Sequence, residues 1–311
     1  MADSVVGMSA ESAAKSGVQW SIEADGHRAV LVEVGGTLRS YSVDGVDIVD
    51  GFGTDEFSPG SAGQILAPWP NRIRDGKYEF EGTAYQLALT EAARSNAIHG
   101  LVNWARWRLV SQAADAVTLE FDLPAQPGYP WSLTLRSHWS VSAAGLKCEQ
   151  EVVNTAESNA PWGYSAHPYL QVPGVTVDDT VLHVPAKSRV LLDSRLLPIG
   201  AQKIADTEFD FSEPRRIGDL VLDAAFGDID FDADGVSTLT LSGGERAVTV
   251  WADDKFRYWQ VFTADTLHGE RHRRSIAVEP MTCPPDSFRT GRDLIVLAPG
   301  QTWTASWGIR Y

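Results

Sequence analysis

The sequence predicts an all-β protein, a large antiparallel β-sandwich with few short helices. Apolar and polar residues alternate with period two through most of the chain, the pattern of strands with one buried face. Gly/Asp turns punctuate these runs at short intervals, which selects antiparallel connections. No segment holds apolar residues at i, i+3, i+4 and i+7 over several turns, so long amphipathic helices are not expected.

The elements follow in order. "RAVLVEV" (28–34) alternates and is followed by the turn "VDGVD" (43–47). "RDGKYEFEGTAY" (74–85) carries two Gly turns around a short hairpin. In "AVTLEFDL" (116–123) Val117, Leu119, Phe121 and Leu123 share one face. Trp131, Leu133, Leu135, Trp139 and Val141 do so in "WSLTLRSHWSV" (131–141), and "SAAGL" (142–146) ends that run. "STLTLSG" (237–243), flanked by "DADGV" and "LSGGE", precedes "RAVTVWAD" (246–253) and "RYWQVFTA" (257–264). Trp303, Ala305, Trp307, Ile309 and Tyr311 line one side of the final run. Short helices are expected at most in "SAESAAKS" (9–16) or near "IADTEF" (204–209). Strand density is even and no linker or repeat interrupts it, so residues 16–311 are read as one domain behind a flexible segment, 1–15.

Composition narrows the function. Asp plus Glu total 41 against 26 Lys plus Arg, a net charge of −15, which repels phosphate backbones and anionic lipid. The densest basic run, "RHRR" (271–274), is short, so no nucleic-acid or membrane partner is expected. Two cysteines, Cys148 and Cys283, make neither a disulfide framework nor a CxxC zinc site. No HxH, HExxH, dinucleotide, Walker or nucleophile-elbow motif occurs, so no metal or cofactor is expected. His268 and His272 have i, i+4 spacing but lie in a polar loop expected to be solvated. The N-terminus lacks a basic start and an apolar run, and no stretch would span a bilayer, so the cytoplasm is the expected location. Monomer and homodimer both stay open.

Five stretches break the strand pattern with polar residues among aromatics or prolines, where sites commonly lie. In "APWPNRIRDGKYEFEG" (67–82), Asn71 and Arg72 follow a stiff approach; Arg72 either grips ligand hydroxyls or pairs with an acidic neighbour. His99 precedes Gly100 in "NAIHGL" (96–101) and is either a site group or a satisfied structural histidine. His167 in "PWGYSAHPYL" (161–170) is either a core histidine or a catalyst in a pocket lined by Trp162, Tyr164 and Tyr169. Asp223 in "VLDAAFGD" (221–228) either caps a turn or binds a hydroxyl. Glu279 in "SIAVEPMTCPPDSF" (275–288) is read as closing an apolar strand at a pocket mouth, with a solvated strand-end glutamate as the alternative.

Together these stretches resemble the aldose 1-epimerase (galactose mutarotase) family. "NRIRDGKY" with "NAIHGL" is similar to its N-R-I-x-x-G and N-x-(I/L)-H-G segments, and "GYSAHPY" to its G-x-x-x-H-P-Y motif. "LDAAF" and "AVEPM" resemble its aspartate and glutamate segments, so five motifs occur in family order across about residues 60–290. The "PWPNRI" form resembles a bacterial subgroup of open sugar preference. The resemblance implies Glu279 as general base, His167 as general acid and His99 as supporting histidine. It further implies Arg72 and Asp223 as hydroxyl contacts, with Ala224 departing from the histidine of many members.

The implied reaction is interconversion of the α and β anomers of a free, neutral aldose. A base takes the C1 hydroxyl proton while an acid protonates the ring oxygen. Glu279 is expected to favour the protonated form of His167 and to stand across a sugar-sized pocket from it. Asn71, Trp162 and Tyr169 are expected to contact the sugar, with core packing as the alternative for the rings. Arg74, Arg94 and Arg289 would argue for an anionic sugar if they converged. The alternatives are a non-catalytic carbohydrate-binding or sugar-sensing protein, and an accessory domain of a polysaccharide lyase or glycoside hydrolase.

Overall fold

The computed structural model describes residues 14–311. The segment 1–13, with most of the first expected helix and of the expected flexible segment, lies outside the described residues. Two large antiparallel sheets dominate. One runs, in spatial order, Arg108–Gln112, Ala116–Leu123, Leu133–Ser142, Gly145–Asn154, Thr302–Arg310, Arg246–Asp253, Val236–Gly243, Val181–His183 and Arg215–Arg216. The other runs Pro198–Lys203, Ser188–Leu192, Asp223–Gly227, Tyr258–Phe262, Ile276–Met281, Ser165–Ala166 and Ile65–Leu66, and Tyr169–Leu170 also pairs with Ile276–Met281. A four-stranded sheet within Gln19–Asp47 packs on the first through Leu133–Ser142.

The first sheet forms where alternation predicts it. Leu133, Leu135, Ser137, Trp139 and Val141 are buried, while the residues between them are half-buried and Ser142 is exposed. Ser137, the polar member of that face, donates its Oγ hydrogen to Gln150 Oε1 (2.6 Å) on the adjacent strand, so its burial leaves nothing unpaired. The core lies between the sheets. Trp139 and Trp307 meet edge to face (5.6 Å, 85°), and Trp259 Nε1 of the second sheet donates to Ser237 Oγ of the first (3.1 Å). Each fully buried large side chain contributes about 1.5–3 kcal/mol. The turns are as read: Asp44 and Gly45, both at positive φ (49° and 78°), join Thr37–Val43 to Val46–Asp47.

Two expectations are corrected. "IADTEF" forms consecutive turns, because Thr207 Oγ1 donates to Ile204 O (2.7 Å) and accepts from Phe209 N (3.2 Å), competing with the helical bonds. The one α-helical turn among the described residues is Ser287–Thr290. "RYWQVFTA" does not alternate in burial, because its strand is covered on both faces: Trp259 and Val261 join the core while Gln260 and Phe262 line a cleft. "RHRR" is taken up in ion pairs, Arg271 with Glu56, Arg273 with Asp178 and Asp265, and Arg274 with Asp50. No helix among the described residues is long and apolar enough to cross a membrane.

Candidate active site

The cleft, about 340 Å³, lies over the centre of the second sheet. Glu279 occupies its floor from mid-strand, 2 % exposed, not from a strand end. Pro280 does not end the strand, because the backbone nitrogens of 278, 280 and 282 share one edge. There Val278 N donates to Pro168 O and Thr282 N to Tyr164 O, and the regular pairing of the neighbouring segment 164–170 lapses at His167, where proline's missing N–H costs little.

That lapse presents His167. Its N donates to Gln64 O (3.1 Å) and its carbonyl accepts from Gly63 N (2.8 Å), which fixes the backbone between two short strands. The side chain is buried, with Nε2 3.3 Å from Glu279 Oε1. Tyr169 stacks on the ring (5.1 Å, 27°) and is pinned by its hydroxyl donating to Gly60 O (3.0 Å). The pair thus stands side by side, not on opposite sides of the cleft.

Arg72 opens the strand Arg72–Arg74, which pairs with Asn96–Ile98; Asn71 immediately precedes the first strand and His99 immediately follows the second. Asn71 and His99 both adopt positive φ (54° and 63°), and His99 N donates to Asn71 O (3.0 Å). Gly100 follows because a Cβ there would stand 2.0 Å from Ala67 O. His99 meets His167 edge to face (5.6 Å). Arg72 does what its alternative reading anticipated while still lining the cleft: Nε and Nη2 donate to Glu91 (2.9 and 3.1 Å). Asp223 opens the strand Asp223–Gly227 and accepts from Gln260 Nε2 (2.6 Å); Gln260 is paired in register with Glu279.

Burial governs the electrostatics. It pushes Glu279 well above the usual carboxylate range, Asp223 adding to the rise and Arg72 opposing it. Burial holds His167 down at about 4. The expectation that Glu279 would favour an imidazolium is therefore reversed, since desolvation outweighs attraction at full burial. His99 is lowered by burial, then by His167 and Arg72, and Asp223 is raised by burial against Arg72 and Arg94. Glu279 Oε2, His167 Nδ1 and His99 Nδ1 are buried with no hydrogen-bond partner among the described residues. Three such atoms around one cleft leave donors and acceptors for a polyhydroxy ligand.

The structure brings together Glu279, His167, His99, Asn71, Arg72, Asp223 and Tyr169. It excludes Trp162, which is fully buried against Trp303 (6.1 Å); Trp69 and Tyr164 likewise join the core. Trp162 and Tyr164 share a parity facing the core, whereas His167 and Tyr169 share the other. Arg94 joins Arg72 at the cleft, while Arg74 bonds Asp193 and Arg289 bonds Asp286, so the three loop arginines do not converge. Cys283 is buried under Gly163 and does not line the cleft. Gln260, Glu91 and the apolar wall of Phe262 and Leu267 were not anticipated. A lone polar residue in the apolar run "YWQVF" was the available signal for Gln260.

The chain and its fold have counterparts among known proteins. The model of the aldose 1-epimerase family matches residues 18–310. The uncharacterized protein YihR of Escherichia coli K12 is 31% identical over 287 residues, covering 92% of this chain and 91% of that one. The GalM/aldose epimerase homologue of C. elegans superposes with a TM-score of 0.84 at 19% identity, covering 94% of this chain and 99% of that one. Galactose 1-epimerase of Lactobacillus acidophilus NCFM does so with a TM-score of 0.79 at 20% identity, covering 94% of each chain.

Proposed function

The chain belongs to the aldose 1-epimerase family, and on that premise we propose that it interconverts the α and β anomers of a free, neutral aldose by acid–base ring opening and closure. The observation that carries this reading is the buried Glu279–His167 contact at 3.3 Å. Ring opening removes a proton from the C1 hydroxyl and delivers one to the ring oxygen; closure on the other face reverses both transfers. A pair sharing one proton can do both without net change. Glu279 as carboxylate and His167 as imidazolium is the tautomer suited to opening. Passing the proton across the contact generates it, and sugar hydroxyls bonding the partnerless Oε2 and Nδ1 lower its cost. His99, held neutral by burial, supplies a hydrogen bond and not a second acid. Asp223, fixed by Gln260, and Arg72 hold ring hydroxyls.

The test is ¹H NMR of freshly dissolved α-D-glucose, α-D-galactose and a panel of other aldoses with the purified protein. Faster anomeric equilibration of at least one sugar than in buffer supports the reading. Binding without acceleration would instead assign a sugar-binding protein.

A further inference from the structure

We propose that Glu91, outside the catalytic pair, is a positioning residue that locks the guanidinium groups of Arg72 and Arg94 into the sugar-facing wall of the cleft. This rests on the mutarotase reading for its consequence but not for its geometry. Each oxygen of the Glu91 carboxylate accepts two hydrogen bonds. Oε2 takes Arg72 Nε (2.9 Å) and Asn96 Nδ2 (2.9 Å); Oε1 takes Arg72 Nη2 (3.1 Å) and Arg94 Nη1 (2.9 Å). The fork on Arg72 is bidentate, which fixes a planar guanidinium in orientation as well as in place. The carboxylate is itself held: Glu91 and Asn96 exchange backbone hydrogen bonds (2.9 and 3.2 Å), which ties Glu91 to the strand leading into His99. The Glu91 and Arg72 side chains are 14% and 11% exposed, so water competes little for these bonds.

With Nε and Nη2 committed, Arg72 keeps Nη1 near Asn71 Oδ1 (3.3 Å), so a fixed donor and acceptor stand together at the cleft. Arg94 commits only Nη1 to Glu91. One carboxylate thereby presents two guanidiniums as a rigid set of donors suited to neighbouring hydroxyls of a monosaccharide. It also supplies charge. Glu279 is faced by His167, His99, Tyr169, Asp223, Gln260 and Arg72, and Arg72 is the cation among them that lowers it. Glu91 offsets that cation, and burial of Glu91 is outweighed by its bonds from Arg72 and Asn96, so it stays ionised.

The experiment compares wild type with Glu91→Ala and Glu91→Gln in two arms. In the first, without sugar, ¹⁵N NMR follows the Arg72 Nε–H, expected as an exchange-protected resonance in wild type and lost in Glu91→Ala. Its persistence there overturns the clamp. In the second, mutarotation is measured on whichever panel aldose the wild type turns over fastest. Glu91→Ala is expected to lose kcat/KM on the order of ten- to a hundredfold, carried by KM with kcat little changed. Glu91→Gln, which keeps the shape without the charge, is expected to retain more activity and to move the alkaline limb of the pH profile to lower pH. A fall in kcat alone, or an unmoved limb, overturns the positioning role. If wild type turns over no panel sugar, the mutarotase reading fails while the NMR arm still decides on Glu91. Should Glu91→Ala fail to fold, the Glu91→Gln resonance and pH limb carry both arms.

Discussion

Glu279 and His167 meet 3.3 Å apart at near-complete burial, where neither group is screened by water. Glu279→Gln and His167→Asn are each expected to cut turnover on the order of 100- to 10,000-fold with the fold intact, as circular dichroism and steady-state rates would show. His99→Asn is expected to lose less, because the part proposed for His99 is to bond the sugar and not to transfer a proton; a loss equal to that of His167→Asn would make it a principal acid. The same burial has a thermodynamic consequence. Glu279 is raised on folding, so the folded state binds the proton more tightly than the unfolded chain. Wild type therefore loses stability as pH rises from the unfolded carboxylate value towards the folded one. Glu279→Gln escapes that loss. Its melting temperature should exceed that of wild type by more at pH 8 than at pH 5, and a constant difference would contradict the assignment. His167 works in the opposite sense: lowered to about 4, it costs stability as pH falls from the unfolded histidine value to that point.

Site elements differ from scaffold elements in how they show themselves in sequence. Strands such as Leu133–Ser142 read directly from alternation because one face meets the core and the other is open. Tyr258–Phe262 and Ile276–Met281 are covered on both faces, so the rule locates them without telling which side chains reach the cleft. Glu279 was legible through the apolar run before it and the motif it shares with the family, although that run was read as placing it at a strand end and not mid-strand. Gln260, in the neighbouring strand, also sits in an apolar run, and no family motif drew attention to it. Trp162 was misplaced because neighbours along an extended chain face opposite ways, and nearness to His167 in sequence says nothing of direction. Since Trp162 is core and its Nε1 has no partner, Trp162→Phe should leave KM unchanged and cost on the order of 1–3 kcal/mol in denaturant unfolding through the cavity it leaves. Gly100→Ala should cost more than about 2 kcal/mol and also impair turnover, because positive φ and the Ala67 carbonyl both oppose a Cβ beside His99.

At the scale of the molecule, two stacked sheets turn one face of the second sheet into a rigid floor and leave loops to wall it. The sandwich was foreseeable from period-two patterning and turn spacing. The meeting of Glu91 with Arg72 across 19 residues, and of Asp223 with Gln260 across 37, was not, because such distant pairings depend on the completed topology. The net charge of −15 sets a further expectation. A neutral aldose feels no steering, so kcat/KM should change little between low and physiological ionic strength, whereas an anionic sugar would show a clear salt effect. Acid–base catalysis by Glu279 is tested most directly by the rate at which a freshly dissolved α-aldose equilibrates, followed by polarimetry in buffer, with wild type and with folded Glu279→Gln. Wild type is predicted to accelerate the approach for at least one sugar of the panel, and Glu279→Gln to leave that sugar near the buffer rate. Wild type no faster than buffer for every sugar, or Glu279→Gln as fast as wild type, would contradict it.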